Sequence, residues 1–301
     1  GLNFAGGIFT NLTRDHLDYH KTFENYRDAK KGFFDMLPKG AFAITNADDR
    51  NGTFMTQNTQ ACVKTYSTRT GADFRAKVLE ASFEGMNLDI NGTEVFVQFV
   101  GGFNVQNILA IYATLRMLGV DSQEALVHLS AMQPVNGRFE TFRSSKGVTA
   151  VIDYAHTPDA VENVLKTINE IVAANAGKQT QAAQVITVVG CGGNRDKGKR
   201  PIMARIAFEN STQLILTSDN PRNEEPHAIL QDMAAGLTAE ELHRVLIIED
   251  RASAIKTACA LARQGDVVLV AGKGHEDYQI IKGVKHHFDD HEVVRACASL
   301  V

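Results

Sequence analysis

Hydrophobic residues in the second half of the chain occur in short runs that alternate with longer amphipathic stretches. The short runs predict buried strands at residues 148–152, 185–189, 213–217, 245–249 and 266–271. The longer stretches predict helices at residues 159–174, 200–209, 226–236 and 251–263. Repeated strand–helix units are typical of an α/β fold with a mostly parallel, doubly wound sheet.

The first half mixes helices and strands. The same patterns predict helices at 22–36 and 104–118, and strands at 41–45, 86–90 and 93–100. The dipeptide Asn91-Gly92 between the last two strands is a strong hairpin signal, and Asp121 with Glu124 resembles a capping box that opens another helix. The pattern resets near residue 135, so we predict two domains, 1–135 and 136–301.

Composition excludes several classes of protein. The 301 residues include 31 basic and 35 acidic side chains, a net charge of −4, which gives no bulk attraction to nucleic acid or to an anionic membrane. No apolar run reaches the roughly 18 residues of a spanning helix. The four cysteines lack metal-ligand spacing and are too few for a disulfide framework. We expect a cytoplasmic protein that is not inserted in a membrane.

Polar and charged residues follow each of the five predicted strands in the second half. They include Asp153 and His156 after the first strand, Asp219 to Arg222 after the third, and Gly272 to Glu276 after the last. Loops at the carboxyl ends of parallel strands form the ligand-binding edge of such sheets. Turns are polar in any protein, but that explanation accounts poorly for five loops rich in Arg, Lys, His and Asp. We therefore predict a ligand site at this edge.

The loop after the second strand resembles a phosphate-binding loop only in part. Its spacing is Gly193-x-x-x-x-Gly198-Lys199, but Arg200 stands where a Ser or Thr would bind Mg²⁺. The four glycines and four cations of this loop favour a site for an anion or a carboxylate. The cations are Arg195, Lys197, Lys199 and Arg200. A solvated basic loop is the simpler alternative.

The first half contains a denser motif at residues 10–20, with two histidines, two aspartates and an arginine before a helix. This combination favours a metal or phosphate site over isolated structural histidines. On the helix that follows, Lys30 falls on the side that carries Phe23, Tyr26 and Phe33. Such a half-buried lysine is either paired, neutralised or modified, or it extends its amine to solvent. Spacing does not decide between these.

Nine sequence blocks together resemble the muramyl ligase family. They are TNLTRDHLDYH (10–20), AK (29–30), ITNADD (44–49), GGFNVQN (101–107), NGRFE (136–140), VIDYAHTPDA (151–160), VVGCGGNRDKGKRP (188–201), SDNPR (218–222) and AGKGHEDYQ (271–279). The resemblance implies the later part of a P-loop-type central ATPase domain, followed by a Rossmann-like domain that binds an amino acid. The family's P-loop and UDP-binding domain have no counterpart in this sequence, so we expect the chain to be inactive alone.

The last four blocks are similar to the family members that add the third peptide residue. This implies an ATP-dependent ligase of peptidoglycan synthesis, which joins meso-diaminopimelate to UDP-N-acetylmuramoyl-L-alanyl-D-glutamate through an acyl phosphate. Such catalysis relies on positioning and on charge neutralisation by Mg²⁺. ATP is the co-substrate, Mg²⁺ the cofactor, and we expect a monomer.

The resemblance also implies roles for individual residues. His16 and a carbamylated Lys30 would hold Mg²⁺, since a carbamate offers the oxygen ligands that this ion prefers. ATP would contact Asn104, Asn107, Arg138, Asp153 and His156. Diaminopimelate would contact Arg195, Asp219, Asn220, Pro221, Arg222, Gly272 and Glu276.

Several alternatives stay open at this point. One is a sibling ligase that adds lysine, and another is a folylpolyglutamate-type synthetase; residues 219–222 distinguish these from the leading prediction. A third is a phosphotransferase that uses residues 193–199 as its P-loop, against which Arg200 argues. A fourth is a binding module without catalysis.

Overall fold

The computed structural model describes residues 2–13, 20–69, 71–176 and 182–300. The chain divides into two compact units, Gly1–Gln133 and Pro134–Val301. Within the described residues, no helix is long and apolar enough to cross a membrane.

The described part of the first unit contains six strands and four helices. The strands are β1 (Gly6–Phe9), β2 (Phe42–Asn46), β3 (Cys62–Ser67), β4 (Phe74–Ala81), β5 (Met86–Ile90) and β6 (Thr93–Val97). The helices are α1 (Phe23–Asp35), α2 (Gly52–Thr56), α3 (Gly102–Met117) and α4 (Ser122–Ala131). The strands form one sheet in chain order, parallel from β1 to β4 and antiparallel from β4 to β6.

Local sequence explains these elements. Thr22 caps α1 by accepting a hydrogen bond from the backbone N–H of Asn25. Asn91 and Gly92 both have positive φ, as the tight turn between β5 and β6 requires. Asp121 caps α4 by accepting a hydrogen bond from the backbone N–H of Gln123. The apolar side of α3 packs on the sheet and completes the core.

The second unit contains eight strands and six helices in its described part. The strands are β7 (Glu140–Arg143), β8 (Thr149–Asp153), β9 (Val185–Cys191), β10 (Gln213–Ser218), β11 (Val245–Ile247), β12 (Val267–Ala271), β13 (Tyr278–Ile281) and β14 (Val284–His287). The helices are α5 (Pro158–Asn175), α6 (Lys199–Glu209), α7 (Pro226–Ala234), α8 (Ala239–Leu242), α9 (Arg251–Leu261) and α10 (Asp290–Leu300).

The main sheet of this unit has the strand order β11-β10-β9-β12-β8-β7. Its strands pair in parallel except for β7, which is antiparallel to β8. The predicted α/β class and the mostly parallel sheet are therefore confirmed. Because β8, β12, β9 and β10 are parallel, the loops that follow them leave from the same edge of the sheet.

Differences from the sequence-based elements have local causes. The fourth predicted strand stops at Ile247 instead of residue 249, because Asp250 already caps α9 through the N–H of Ser253. The pattern also missed the small hairpin of β13 and β14, whose β14 side chains are all exposed and carry no buried alternation.

Candidate functional site

Three loops interlock at the carboxyl edge of the second unit's main sheet. The N–H of Gly193, after β9, donates to the carbonyl of Asn220, after β10, at 2.9 Å. In return, Arg222 Nη1 donates to the carbonyl of Gly193 at 2.9 Å. Asn220 Nδ2 donates to Glu276 Oε2, after β12, at 2.7 Å. The structure thus joins the loop that carries Asn220 and Arg222 to Glu276, which lies 56 positions after Asn220 in the sequence.

Glycines make this close approach possible. A Cβ on Gly193 would collide with the carbonyl of Pro221, which is itself buried. Gly272 has a φ of +119°, and a Cβ there would lie 2.7 Å from Asp219 Oδ2. Backbone in this conformation favours glycine. The backbone of Pro221 therefore packs directly on Gly193, and the side chain of Asp219 packs directly on Gly272.

The basic residues of the glycine-rich loop do not form the single anion cluster that the sequence suggested. Arg200 is fully buried and donates to both carboxylate oxygens of Glu224 and to Asp232. Its hydrogen bonds are the main cause that lowers the pKa of Glu224 to about 2. Arg200 is thus committed to the fold, and the prediction that it faces an anion is wrong. Arg195 is exposed at the rim of the loop.

Lys199 also has a structural partner. Its Nζ donates to the carbonyl of His156 at 2.7 Å and so ties the loop before α6 to the loop after β8. His156 Nδ1 lies 2.8 Å from the carbonyl of Tyr154, which requires the proton on that nitrogen. The second ring nitrogen is then left as the one available for a ligand.

Asp153 ends β8 in a buried position. Its Oδ2 accepts the N–H of Phe139 at 2.7 Å, and burial raises the pKa of this carboxyl to about 6. The exposed guanidinium of Arg138 lies 4.9 Å from the ring centre of Tyr154, the neighbour of Asp153. Arg138 and His156 therefore contact the ring of Tyr154, which directly follows Asp153 in the chain.

Two residues of this region carried no weight in the sequence analysis. Tyr154 contacts Glu276 through its hydroxyl, at 3.4 Å from Oε1, and its ring packs on His275. Lys273 is fully buried beside Asn220 and Glu276. The sequence signal for Lys273 was its position directly after a buried strand, at the edge where such sheets bind ligands.

In the first unit, Asn104 and Asn107 stand one turn apart at the start of α3. Asn104 is buried, donates to the carbonyl of Val100 at 2.8 Å, and accepts from Asn107 Nδ2 at 3.3 Å. The amide of Asn107 is exposed. The two side chains form a small polar platform at a helix N-terminus.

The expectation of a half-buried Lys30 is wrong. Lys30 is exposed, and the buried lysine of α1 is Lys31, which pairs with Asp35 at 2.6 Å. Burial therefore gives no argument for modification of Lys30. His16 lies outside the described residues. Among the described residues, no group of three or more His, Cys, Asp or Glu side chains could hold a metal ion.

Comparison with known proteins identifies both domains of the chain. Residues 1–115 match the model of the Mur ligase middle domain, and residues 137–274 match the model described as "Mur ligase, glutamate ligase domain". A relative from Phocaeicola vulgatus, named UDP-N-acetylmuramoyl-L-alanyl-D-glutamate–2,6-diaminopimelate ligase, is 62% identical over 98% of this chain and 60% of its own length.

Solved structures of ligases have a similar fold. One of a UDP-N-acetylmuramoyl-L-alanyl-D-glutamate–2,6-diaminopimelate ligase aligns with a TM-score of 0.64 at 36% identity, over 100% of this chain and 61% of its own. A folylpolyglutamate synthase from Thermotoga maritima aligns with a TM-score of 0.64 at 16% identity, over 89% of this chain and 57% of its own, a likeness of fold alone.

The interlocked loops lie at the carboxyl edge of a mostly parallel α/β sheet, the edge at which open sheets of this kind bind ligands. With two matched domains, the chain belongs to the Mur ligase family. It spans about 60% of the length of the curated relative described above.

Proposed function

We propose that the protein is an ATP-dependent amide ligase that adds meso-diaminopimelate to UDP-N-acetylmuramoyl-L-alanyl-D-glutamate. The observation that carries this proposal is the cluster of Arg222, Asn220 and Glu276, in which a guanidinium, an amide and a carboxylate share one site. The similarity to diaminopimelate-adding ligases supports the same reaction.

The cluster suits an amino acid that carries both a carboxylate and an ammonium at its far end. Diaminopimelate differs from lysine by one distal carboxylate. A planar guanidinium binds such a carboxylate through paired hydrogen bonds, and Glu276 accepts the accompanying ammonium. Arg195 on the neighbouring loop adds a second cation, while Asp219, Pro221 and Gly272 fix the loop geometry.

The proposed reaction has two steps. The D-glutamate carboxylate of the nucleotide-linked dipeptide attacks the γ-phosphate of ATP, and ADP leaves. The free amine of diaminopimelate then attacks the acyl phosphate, forms the amide and releases inorganic phosphate. We assign Arg138, Asp153 and His156 to nucleotide binding, and likewise Asn104 and Asn107.

The described residues do not themselves assemble a Mg²⁺ site, and no step above is routed through the metal. His16 and a carbamylated Lys30 stay proposed ligands. Through the Mg²⁺ that they would hold, these two residues would help to position the phosphates of ATP, the usual role of this ion in phosphoryl transfer. We also propose that the ligase works in the cytoplasm as a monomer.

Phosphate release by the complete ligase, meaning a protein of the relatives' full length that contains this chain, tests the proposal. We expect release that requires ATP, the UDP-linked dipeptide and meso-diaminopimelate together, with one amide formed per phosphate. Release without any amino acid would instead indicate an ATPase or phosphotransferase. Amide formation with glutamate on a folate acceptor would favour the synthetase of similar fold.

A further inference from the structure

Lys273 is a fully buried lysine at the centre of the proposed amino-acid site. It follows β12, the strand between β9 and β8, and its side chain is 0% exposed. Its Nζ lies 3.3 Å from Asn220 Oδ1, 3.3 Å from Glu276 Oε2 and 3.7 Å from Asp219 Oδ1. The ammonium thus donates hydrogen bonds to Asn220 and Glu276 and forms a longer ion pair with Asp219.

Backbone geometry forces this position. Gly272 and Gly274 on either side of Lys273 both have positive φ, at 119° and 52°. A Cβ on Gly274 would lie 2.7 Å from the carbonyl of Gly137 and from the Cβ of Tyr154. The chain therefore turns twice within three residues, which directs the intervening lysine inward between the loops after β10 and β12.

Lys273 lies beside two carboxylates, those of Asp219 and Glu276. Asp219 is buried, whereas Glu276 is half-buried. The guanidinium of Arg222 contacts the carbonyl of Asn220 in the same cluster. Of the two carboxylates beside Lys273, Glu276 is therefore the more accessible to a ligand.

The two oxygens of Glu276 have different surroundings. Oε2 accepts from Asn220 Nδ2 at 2.7 Å and from Lys273 Nζ at 3.3 Å. Oε1 has only the long 3.4 Å contact with the hydroxyl of Tyr154 among its described hydrogen bonds. The oxygen that Lys273 does not occupy is thus the one with spare acceptor capacity.

We propose that Lys273 is a positioning residue, which holds Glu276 and Asn220 in place so that Glu276 receives the distal ammonium of the amino-acid substrate. This inference rests on the proposed function and deepens it. Lys273 acts through Glu276 and does not itself touch the substrate. Its removal should therefore affect recognition of the distal ammonium more than it affects use of ATP.

The test compares two substrates with the complete ligase. meso-Diaminopimelate carries the distal ammonium, and 2-aminopimelate lacks it but keeps the reacting amine and the distal carboxylate. We expect Lys273→Met to reduce the preference in kcat/KM for diaminopimelate over 2-aminopimelate about tenfold or more, with the KM for ATP within about twofold of wild type. The matched control is Lys285→Met, an exposed lysine whose Nζ lies 4.1 Å from the centre of the Tyr278 ring, and it should leave the preference unchanged.

An unchanged preference in folded Lys273→Met would overturn the inference. If wild-type enzyme does not use diaminopimelate at all, it is the proposed function that fails. Because Lys273→Met leaves the carboxylates of Asp219 and Glu276 without this cation, the variant Lys273→Met/Glu276→Gln removes one charge of each sign. This double variant should fold and match Glu276→Gln alone in its preference. A double variant that does not fold, or that is worse than Glu276→Gln, would assign Lys273 a role independent of Glu276 and so contradict the proposal.

Discussion

Replacement of Arg222 by alanine should weaken use of diaminopimelate far more than use of ATP. In the structure, Arg222 Nη1 donates to the carbonyls of Gly193 and Asn220, at 2.9 and 3.4 Å. Its other guanidinium donors have no hydrogen-bond partner among the described contacts, so they can bind a carboxylate. A charge-assisted hydrogen bond contributes about 1.5–3 kcal/mol, which corresponds to roughly a ten- to hundredfold rise in KM for diaminopimelate.

Backbone conformation makes alanine the right substitution. Arg222 has a φ of +54°, a conformation that glycine would relax and alanine keeps strained to a similar degree. Arg222→Ala therefore removes the side chain without releasing the turn. Arg244→Ala is the matched control, because Arg244 is exposed and precedes β11 at the opposite end of a strand.

Steady-state kinetics of the complete ligase measures the effect, with diaminopimelate and ATP varied in turn. We expect the KM for diaminopimelate to rise and the KM for ATP to stay within about twofold. Lysine should stay a poor substrate, because the substitution adds no contact that lysine could use. An unchanged KM for diaminopimelate would refute the assignment of Arg222 to its distal carboxylate.

Three further predictions concern the remaining charged groups. Asp290→Asn should lower the free energy of unfolding by about 3–5 kcal/mol in urea titrations, because it leaves Arg251 buried and unpaired. The control Glu162→Gln, in the exposed pair with Lys166, should change the free energy of unfolding by less than about 0.5 kcal/mol. Equal effects of the two substitutions would contradict this prediction. The Asp153 carboxyl should titrate near 6 by NMR, as its pKa is raised to about 6; the folded state then binds this proton more tightly than the unfolded state does. The contribution of Asp153 to the free energy of unfolding should therefore fall as pH rises from about 4 to about 6, by roughly 3 kcal/mol in total. Asp153→Asn should remove this pH-dependent part of the free energy of unfolding. Lys30→Ala in the complete ligase should abolish turnover, with partial recovery on addition of short carboxylic acids, and near-normal rates in the variant would exclude the carbamate role.

Hydrophobic patterning predicted most of the second unit, because buried parallel strands appear as apolar runs and amphipathic helices separate them. The rule that ligands bind at the carboxyl edge of such a sheet then placed Asn220, Arg222 and Glu276 in one region. These inferences need only the order of elements along the chain.

Burial of individual cations could not be predicted in the same way. Lys30 and Lys31 differ by one position, yet that step rotates the side chain by about 100° around the helix, and only Lys31 has Asp35 as its partner. Arg200 is buried because Glu224 and Asp232 reach it from another loop and helix. Pairing between such distant positions follows from tertiary packing, which local spacing does not encode.

Substrate preference tests the central claim most directly. The measurement is the ratio of kcat/KM for meso-diaminopimelate to that for L-lysine, with the complete wild-type ligase, ATP and the UDP-linked dipeptide. A site in which Arg222 binds the distal carboxylate and Glu276 the distal ammonium predicts a preference for diaminopimelate of about hundredfold or more. Equal use of the two amino acids, or a preference for lysine, would contradict the account.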